Sequence, residues 1–230
     1  MANRARNNPG SASSHEVEIN PLENLQSKYE QNKKRINTIF TVVLLAVVGF
    51  VAYLKLYQEP KETRAASALS YMQTYFQQDS LNLALNGDGQ NAGLLKIMQK
   101  YSGTKASNLA SYYAGICYLK MNDANNAIKY LKQFDAKGTD VAVVAYGSLG
   151  DAYMQMGNLS EAISYYNKAS KDKNNNLLTP IYLFRAAIAY EQNNQPDKAR
   201  EYFKRIRDEY PQSTQARETD KYLARLGLVD

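Results

Sequence analysis

Residues 149–169 read LGDAYMQMGNLSEAISYYNKA. Apolar and small residues recur at helical spacing on both sides of Gly157-Asn158, a turn signal, so the segment predicts two helices joined by a tight turn. The same residue types return at the same offsets upstream and downstream. The recurring positions are Gly115, Tyr118, Ala127 and Leu131, then Gly150, Tyr153, Ala162 and Tyr166, then Ala187, Tyr190, Ala199 and Phe203. These copies, whose small residues are 35 and 37 residues apart, predict a stack of helical hairpins.

The residue types at these positions suit helix packing. Small residues such as Gly115, Gly150 and Ala187 are expected to let the two helices of a hairpin approach closely. The tyrosines three residues later are expected to fill the space between one hairpin and the next. Much of the unusual content of 19 tyrosines is thereby assigned to the core.

The pattern predicts an all-α chain with helices over 107–120, 124–135, 141–155, 159–170, 179–192 and 196–208. A capping helix is predicted over 214–226. Upstream, 62–78 and 91–101 are predicted to form a degenerate first hairpin across a long connection at 79–90, which carries the turn signal Asn86-Gly87-Asp88-Gly89. The chain is therefore divided into a tail at 1–35 (disordered over 1–14, helical over 21–35), an anchor at 36–56, a linker helix and first hairpin at 57–106, three repeats at 107–213 and a cap at 214–230.

The pattern Leu149-Gly150-x-x-Tyr153, followed by Ala162-x-x-x-Tyr166, resembles the tetratricopeptide repeat. The resemblance implies a solenoid of three full repeats in which the first helix of each hairpin lines a concave groove. The groove positions that it implies are Leu109, Tyr112, Ile116 and Leu119, then Val144, Gly147, Asp151 and Met154, then Ile181, Phe184, Ile188 and Glu191. Such a surface is largely apolar and aromatic.

Two interpretations of this groove remain open. It holds an extended apolar segment or a helix of a partner protein, or it is filled by the capping helix or by residues 62–101. Repeats of this family that clamp the C-terminal carboxylate of cytosolic chaperones place Lys, Asn and Arg at five groove positions. The residues found there are Tyr112, Ile116, Ser148, Ile181 and Arg185. Only Arg185 matches, so that function is not expected.

The run INTIFTVVLLAVVGFVAYL, residues 36–54, has no charged residue. As a helix it is about 28 Å long, close to the thickness of the hydrocarbon core of a bilayer. A signal peptide has a shorter apolar region of about 7–15 residues and a small-residue cleavage site. A buried core helix would need surrounding elements on all sides. The run therefore predicts an uncleaved, single-pass membrane anchor.

The flanks of this run predict its orientation. Lys33-Lys34-Arg35 precede it, and Lys55 alone follows it closely. Because the side richer in Lys and Arg stays in the cytoplasm, residues 1–35 are expected there and the repeats on the far side. Most of the excess positive charge lies beside the anchor, which argues against nucleic-acid binding.

The composition excludes several catalytic classes. One Cys and one His preclude an internal disulfide and a Cys/His zinc site. His15 lies in a polar tail, and Cys117 is expected to be an inert core thiol. The segment GDGQNAG lacks the spacing of a phosphate-binding loop. No enzyme activity, cofactor or metal is predicted.

A short tail, one N-terminal span and a compact tetratricopeptide domain together resemble the YfgM-like ancillary subunits of the Sec translocon. This resemblance implies an inner-membrane protein with a periplasmic domain. Its implied partners are SecYEG, a membrane-anchored periplasmic chaperone of the prolyl-isomerase type, and exported polypeptides. The alternative is a tetratricopeptide import receptor or another assembly scaffold, anchored in an organellar or bacterial membrane and without a role in Sec export.

Overall fold

The structure is a computed structural model that describes residues 21–139 and 141–227. The tail predicted to be disordered, 1–14, and His15 lie outside these residues. Apart from an isolated bridge between Gly87 and Ala92, the described residues form helices, turns and loops and no strand. They divide into two compact units between Lys55 and Leu56.

The first unit contains the long helix α1, Pro21–Tyr53. Its apolar part is exposed; Phe40 and Leu45, for example, are more than 60% exposed. By length and composition this helix is able to cross a bilayer. The segment predicted to be helical, 21–35, continues without a break into the apolar run. A π-helical turn, Leu54–Gln58, follows α1 directly, so the predicted end of the anchor at residue 56 falls inside this turn.

The second unit consists of packed helices. Their bounds are α2 Glu59–Gln77, α3 Leu81–Asn86, α4 Leu94–Lys100, α5 Lys105–Lys120, α6 Ala124–Gln133, α7 Ala142–Gln155, α8 Leu159–Ala169, α9 Leu178–Gln192, α10 Pro196–Glu209 and α11 Ala216–Arg225. The pairs α5/α6, α7/α8 and α9/α10 form the hairpins, and α11 packs on α10. The six hairpin helices lie within two residues of their predicted bounds, which confirms the predicted fold class.

The turn inside each hairpin repeats in atomic detail. Its central residue has a positive φ: 60° at Asn122, 71° at Gly157 and 55° at Asn194. In each case the next residue donates its backbone N–H, at 2.9 Å, to the carbonyl of the tyrosine four residues before the centre (Tyr118, Tyr153 and Tyr190). Five residues after the centre comes an alanine with no exposed surface (Ala127, Ala162 and Ala199).

The same turn occurs once more upstream, between α2 and α3. Asp79 has a φ of 56°, and Ser80 donates its N–H to the Tyr75 carbonyl at 2.9 Å. Ala84 follows five residues later and has no exposed surface. The first hairpin is therefore α2 with α3, and the prediction that 62–78 pairs with 91–101 across a connection at 79–90 is wrong in its second helix.

The second helix of this first hairpin is interrupted after α3. Gly87 stands where the later hairpins have Tyr130, Tyr165 and Tyr202. The following Asp88 accepts the Tyr75 hydroxyl at 2.8 Å and the backbone N–H of Gln90 at 2.8 Å. Hydrogen bonds from the backbone N–H and the side-chain amide of Asn91 contribute most to lowering the pKa of the Asp88 carboxyl well below its usual range, and the bonds from Tyr75 and Gln90 add to this. They shape the loop 87–93, after which α4 begins.

Tyrosine pairs twelve residues apart join the two helices of each later hairpin. The ring centroids are 5.3 Å apart for Tyr118 and Tyr130, 5.5 Å for Tyr153 and Tyr165, and 5.0 Å for Tyr190 and Tyr202. The tyrosines therefore stack within their own hairpin. Tyr153 also shares an apolar cluster with Tyr182 of α9, and the hydroxyl of Tyr190 accepts the side-chain amide of Asn167 of α8 at 3.3 Å, so these two also contact a neighbouring hairpin, as the sequence predicted.

Candidate partner-binding groove

The ten predicted groove residues lie on α5, α7 and α9, the first helices of the three hairpins. α5 packs on α7, and α7 packs on α9, so these helices form one layer. All ten side chains are half-buried: Leu109, Tyr112, Ile116, Leu119, Val144, Asp151, Met154, Ile181, Phe184 and Ile188. The structure thus brings them onto one layer but gives them different neighbours.

The upstream hairpin covers the first end of this layer. Leu109 packs against the apolar cluster that α2, α3, α4 and α5 share. On the next turn of α5, the hydroxyl of Tyr113 accepts a hydrogen bond from the side-chain amide of Gln73 at 3.0 Å. The ring of Tyr113 lies 5.2 Å from the ring of Phe76. Leu109 is therefore part of the core of this end.

The capping helix α11 covers the other end. The ring of Tyr222 lies 5.1 Å from the ring of Phe184 and 4.9 Å from that of Phe203. Arg225 of α11 pairs with Glu191 of α9 at 2.6 Å, and Ile188 packs in the same apolar cluster. Phe184 and Ile188 were predicted to line the groove, but the cap packs on them because their side chains point towards α10 and α11.

The middle of the layer differs from both ends. Tyr112, Ile116 and Leu119 of α5 and Val144 of α7 are half-buried and belong to none of the three apolar clusters of the described residues. We call these four residues the central segment. Met154 and Ile181 pack against the cluster between the second and third hairpins. Filling by residues 62–101 and by the capping helix thus describes the two ends of the layer. Binding of a partner by the central segment stays a prediction.

Gly147 was also predicted to line the groove, and it is buried. A Cβ atom at this position would lie 2.0 Å from the ring of Tyr182 on α9. The absence of a side chain lets this ring lie directly on α7. The ring of Tyr182 therefore occupies the place where a groove-lining side chain of α7 was expected.

Asp151 does not present a free carboxylate to the groove. Its Oδ1 accepts the hydroxyl of Tyr166 on α8 at 2.8 Å, and its Oδ2 pairs with the guanidinium of Arg185 on α9. One carboxylate thereby joins α7, α8 and α9. Arg185, which matched the chaperone-binding pattern, is held by this pair, so both charges act within the fold.

Substitutions at Asp151 should separate its two roles. Asp151→Ala removes the acceptor of the Tyr166 hydroxyl. Because Tyr166 is only 2% exposed, this hydroxyl is left without a partner, and the free energy of unfolding should fall by about 2 kcal/mol. Asp151→Asn keeps an acceptor oxygen and loses only the partly exposed ion pair, so about 0.5 kcal/mol is expected. Urea unfolding followed by circular dichroism measures both values. Equal losses in the two variants would show that the hydrogen bond to Tyr166 does not stabilise the layer.

Two half-buried tyrosines predict alkaline unfolding. Burial raises the pKa of Tyr112 and that of Tyr202 to about 12, from the ordinary 10.0. Below pH 10 these groups are protonated in both states, so their contribution to stability is fully present. Above pH 10 the unfolded chain releases these protons first, and stability falls as the pH rises towards 12. The absorbance of tyrosinate at about 295 nm should therefore rise together with unfolding, and Tyr112→Phe should make the loss shallower. Complete ionisation near pH 10 without loss of helix would contradict this.

The thiol of Cys117 lies on α5, within this layer. Cys117 has no exposed surface, and burial raises the pKa of its thiol to about 12, so it stays protonated. Among the described residues, no three His, Cys, Asp or Glu side chains lie close enough to hold a metal ion. The absence of enzyme activity stays a prediction.

Comparison with known proteins assigns the repeats. Residues 109–137 and 148–214 match two family models that are both described as tetratricopeptide repeat. These hairpins match the tetratricopeptide repeat. The matched segments cover α5 with α6, and α7 with α8, α9 and α10. The hairpin of α2 and α3 lies outside both, although its turn has the same geometry. A search of curated protein sequences found no match.

Solved structures have a fold similar to that of this chain. Two crystal structures of a kinesin-light-chain-like protein with nearly identical TPR-like repeats, from Podospora anserina, are both 16% identical to this chain with a TM-score of 0.55. They cover 72% of this chain, and the match spans 85% and 86% of theirs. The crystal structure of MamA protein is 24% identical, with a TM-score of 0.50, over 86% of this chain and 92% of its own. At these identities the likeness concerns the fold alone.

The half-buried state of the groove residues could not be read from their spacing. The tetratricopeptide register places all ten on the first helices, but it carries no information about the cap or the upstream hairpin. One missed signal was present in the sequence: the step of nine residues from Tyr75 to Ala84 equals the steps from Tyr118 to Ala127 and from Tyr153 to Ala162.

Proposed function

We propose that the protein is a membrane-anchored scaffold whose tetratricopeptide array binds segments of other proteins. The observation that carries the proposal is the central segment, Tyr112, Ile116, Leu119 and Val144, which is apolar and aromatic and lies between two covered ends. Apolar surface of this kind, with rigid helices behind it, is suited to a short apolar peptide or one face of a helix. The scaffolding role of tetratricopeptide repeats in general supports this.

The helix α1 provides the second support. Its apolar stretch is exposed from residue 36 to residue 53, and water would disfavour this exposure strongly. Insertion into a bilayer removes that surface from water. Because Lys33-Lys34-Arg35 directly precede the apolar run, the tail stays in the cytoplasm and the array lies across the membrane.

The architecture and orientation lead to a specific place of action. The array works beside the Sec translocon at the periplasmic face of the inner membrane, together with a membrane-anchored chaperone of the prolyl-isomerase type. There it receives newly exported chains before they fold. The basis for this step is the resemblance to YfgM-like subunits. An array facing the cytosol would instead fit an import receptor.

Site-specific photo-crosslinking tests the binding role. Ile116 of the full chain is replaced by a photoreactive amino acid, and the protein is kept in its native membrane. This position should form adducts with SecY or with a radiolabelled exported protein arrested in the channel. The matched control is the same amino acid at Met156, which is 49% exposed in a hairpin turn. Adducts of equal yield at both positions, or none at Ile116, would contradict the proposal. Phe184 is unsuitable for this purpose, since it would report its contact with Tyr222.

A further inference from the structure

A recess separate from the groove lies between α6, α7 and α8. It has a volume of about 280 Å³, and the end of α6, the loop that follows, one face of α7 and the last turns of α8 line it. The side chains that matter are Lys132, Lys137, Lys168, Tyr146, Tyr165 and Leu149. None of the ten groove residues lines this recess, so it is a separate surface of the array.

The lining of the recess has more positive than negative charge. Among residues 21–139 and 141–227, none of its three lysines forms an ion pair with an acidic side chain. Elsewhere lysines are paired, as Lys120 is with Asp79 and Lys198 with Glu201. Asp135 also lines the recess, but its Oδ1 accepts the backbone N–H of Lys137 at 3.0 Å. The described lining residues therefore carry a net charge of about +2 at neutral pH, and Glu161 outside the lining also interacts electrostatically with Lys132.

Two of these lysines are positioned by a tyrosine stack. The rings of Tyr153 and Tyr165 lie 5.5 Å apart and nearly parallel, with an angle of 12°. The Nζ atom of Lys132 lies 5.4 Å from the centre of the Tyr153 ring, and that of Lys168 lies 4.4 Å from the centre of the Tyr165 ring. Such cation–π contacts hold an ammonium group in place without neutralising it. A hydrogen bond to Tyr153 also raises the pKa of Lys132, so its charge persists.

The floor of the recess is apolar. Ala145 and Leu149 of α7 and Leu131 of α6 are at most 4% exposed and line it beneath the lysines. A ligand that fills the recess must therefore present an apolar group towards the floor and negative charge towards the rim. The volume is slightly below that of sites for drug-sized molecules, about 300–1,000 Å³, and accommodates one or two side chains.

We propose that this recess binds a protein segment in which carboxylates flank a large apolar side chain. The carboxylates pair with Lys132, Lys137 and Lys168, and the apolar side chain packs on Leu149 between the rings of Tyr146 and Tyr165. An inorganic phosphate ion would satisfy the lysines but leave the apolar floor empty. The recess would give the scaffold a second contact, independent of the central segment, with an acidic partner.

Peptide binding to the full chain in a mild non-ionic detergent tests this proposal. The probe is the fluorescein-labelled peptide GSEFDLEGS, and the comparison peptides are GSQFNLQGS, which lacks the charges, and GSESDSEGS, which lacks the apolar residues. Fluorescence anisotropy should show saturable binding of the first peptide only, and the affinity should fall as the ionic strength rises. Inorganic phosphate at about ten times the peptide concentration should not displace it.

Matched variants assign the binding to the recess. K132Q/K137Q/K168Q should weaken binding about 20-fold, or about threefold for each charge. K173Q/K204Q/K221Q removes three exposed lysines elsewhere in the array and should leave binding unchanged. Circular dichroism checks that both triple variants fold, and K168Q alone serves if the first does not. Equal losses in the two triple variants, no binding of GSEFDLEGS, or displacement by phosphate would overturn the proposal.

Discussion

Replacing Phe203 by alanine should lower the free energy of unfolding of the array by about 4 kcal/mol. Phe203 has no exposed surface. Its ring stacks on that of Tyr222 of α11 at 4.9 Å, and the ring of Phe184 lies at 5.5 Å. The alanine variant loses the transfer free energy of the ring and leaves a cavity under the cap, because α9 and α10 already pack on each other and leave little room for collapse.

Urea unfolding in detergent, followed by circular dichroism, measures this loss. The control is Tyr71→Ala on α2, since Tyr71 is an aromatic residue that is 56% exposed and should change stability by no more than about 0.5 kcal/mol. The cap should also loosen before the rest of the array, so amide exchange in α11 should accelerate more than in α5. A loss below about 1 kcal/mol would show that the cap does not depend on this ring.

Gly150→Ala should be destabilising by about 3 kcal/mol, although alanine favours helices. A Cβ atom at residue 150 would lie 2.4 Å from the Cε1 atom of Tyr166, a ring that is 2% exposed and tied by its hydroxyl to Asp151. The gain in helix propensity from glycine to alanine is about 1 kcal/mol. Gly150→Ala is therefore destabilising only if the steric conflict costs more than this gain. The backbones of α7 and α8 or the buried ring would have to move.

A second substitution provides the control for Gly150→Ala. Tyr166→Leu shortens the opposing side chain and makes room for the new methyl group. The free energy of unfolding lost in the double variant should therefore be smaller than the sum of the two single losses, by 1 kcal/mol or more. The same unfolding measurement applies to all three variants. Additive losses, or a neutral Gly150→Ala, would mean that close approach at residue 150 does not hold this hairpin together.

The sequence was sufficient to predict the later hairpins because the residues that determine the packing of each one lie within about 20 positions of one another. Gly150 and Ala162 specify close approach, and Gly157 supplies the positive φ of the turn. The second helix of the first hairpin was misplaced because Met72 replaces the small residue and Gly87 replaces the second tyrosine of the stacked pair. Its surviving signals, Tyr75 and Ala84, are weak alone. The loop 87–93 then separates α3 from α4.

The groove was predictable in register but not in exposure. The spacing of Tyr112 and Ile116 places them on one helix face, which is a local property. That Tyr222 covers Phe184, and that α2 and α4 approach Leu109, are long-range contacts that no local pattern contains. The tyrosine stack that positions Lys132 and Lys168 was likewise hidden. Its members are twelve residues apart, a step that becomes meaningful only once the hairpin turn is known.

The central claim is that α1 carries the array to the face of the membrane opposite its tail, and labelling of single cysteines tests it most directly. The native thiol, Cys117, is buried, so Cys117→Ala gives a cysteine-free background in the full chain. Gln31→Cys and Ser164→Cys then place one exposed thiol on either side of the apolar run. In intact cells a membrane-impermeant maleimide should label residue 164 at once and residue 31 only after permeabilisation. Labelling of residue 31 but not of residue 164 would contradict the account, as would labelling of both or of neither before permeabilisation.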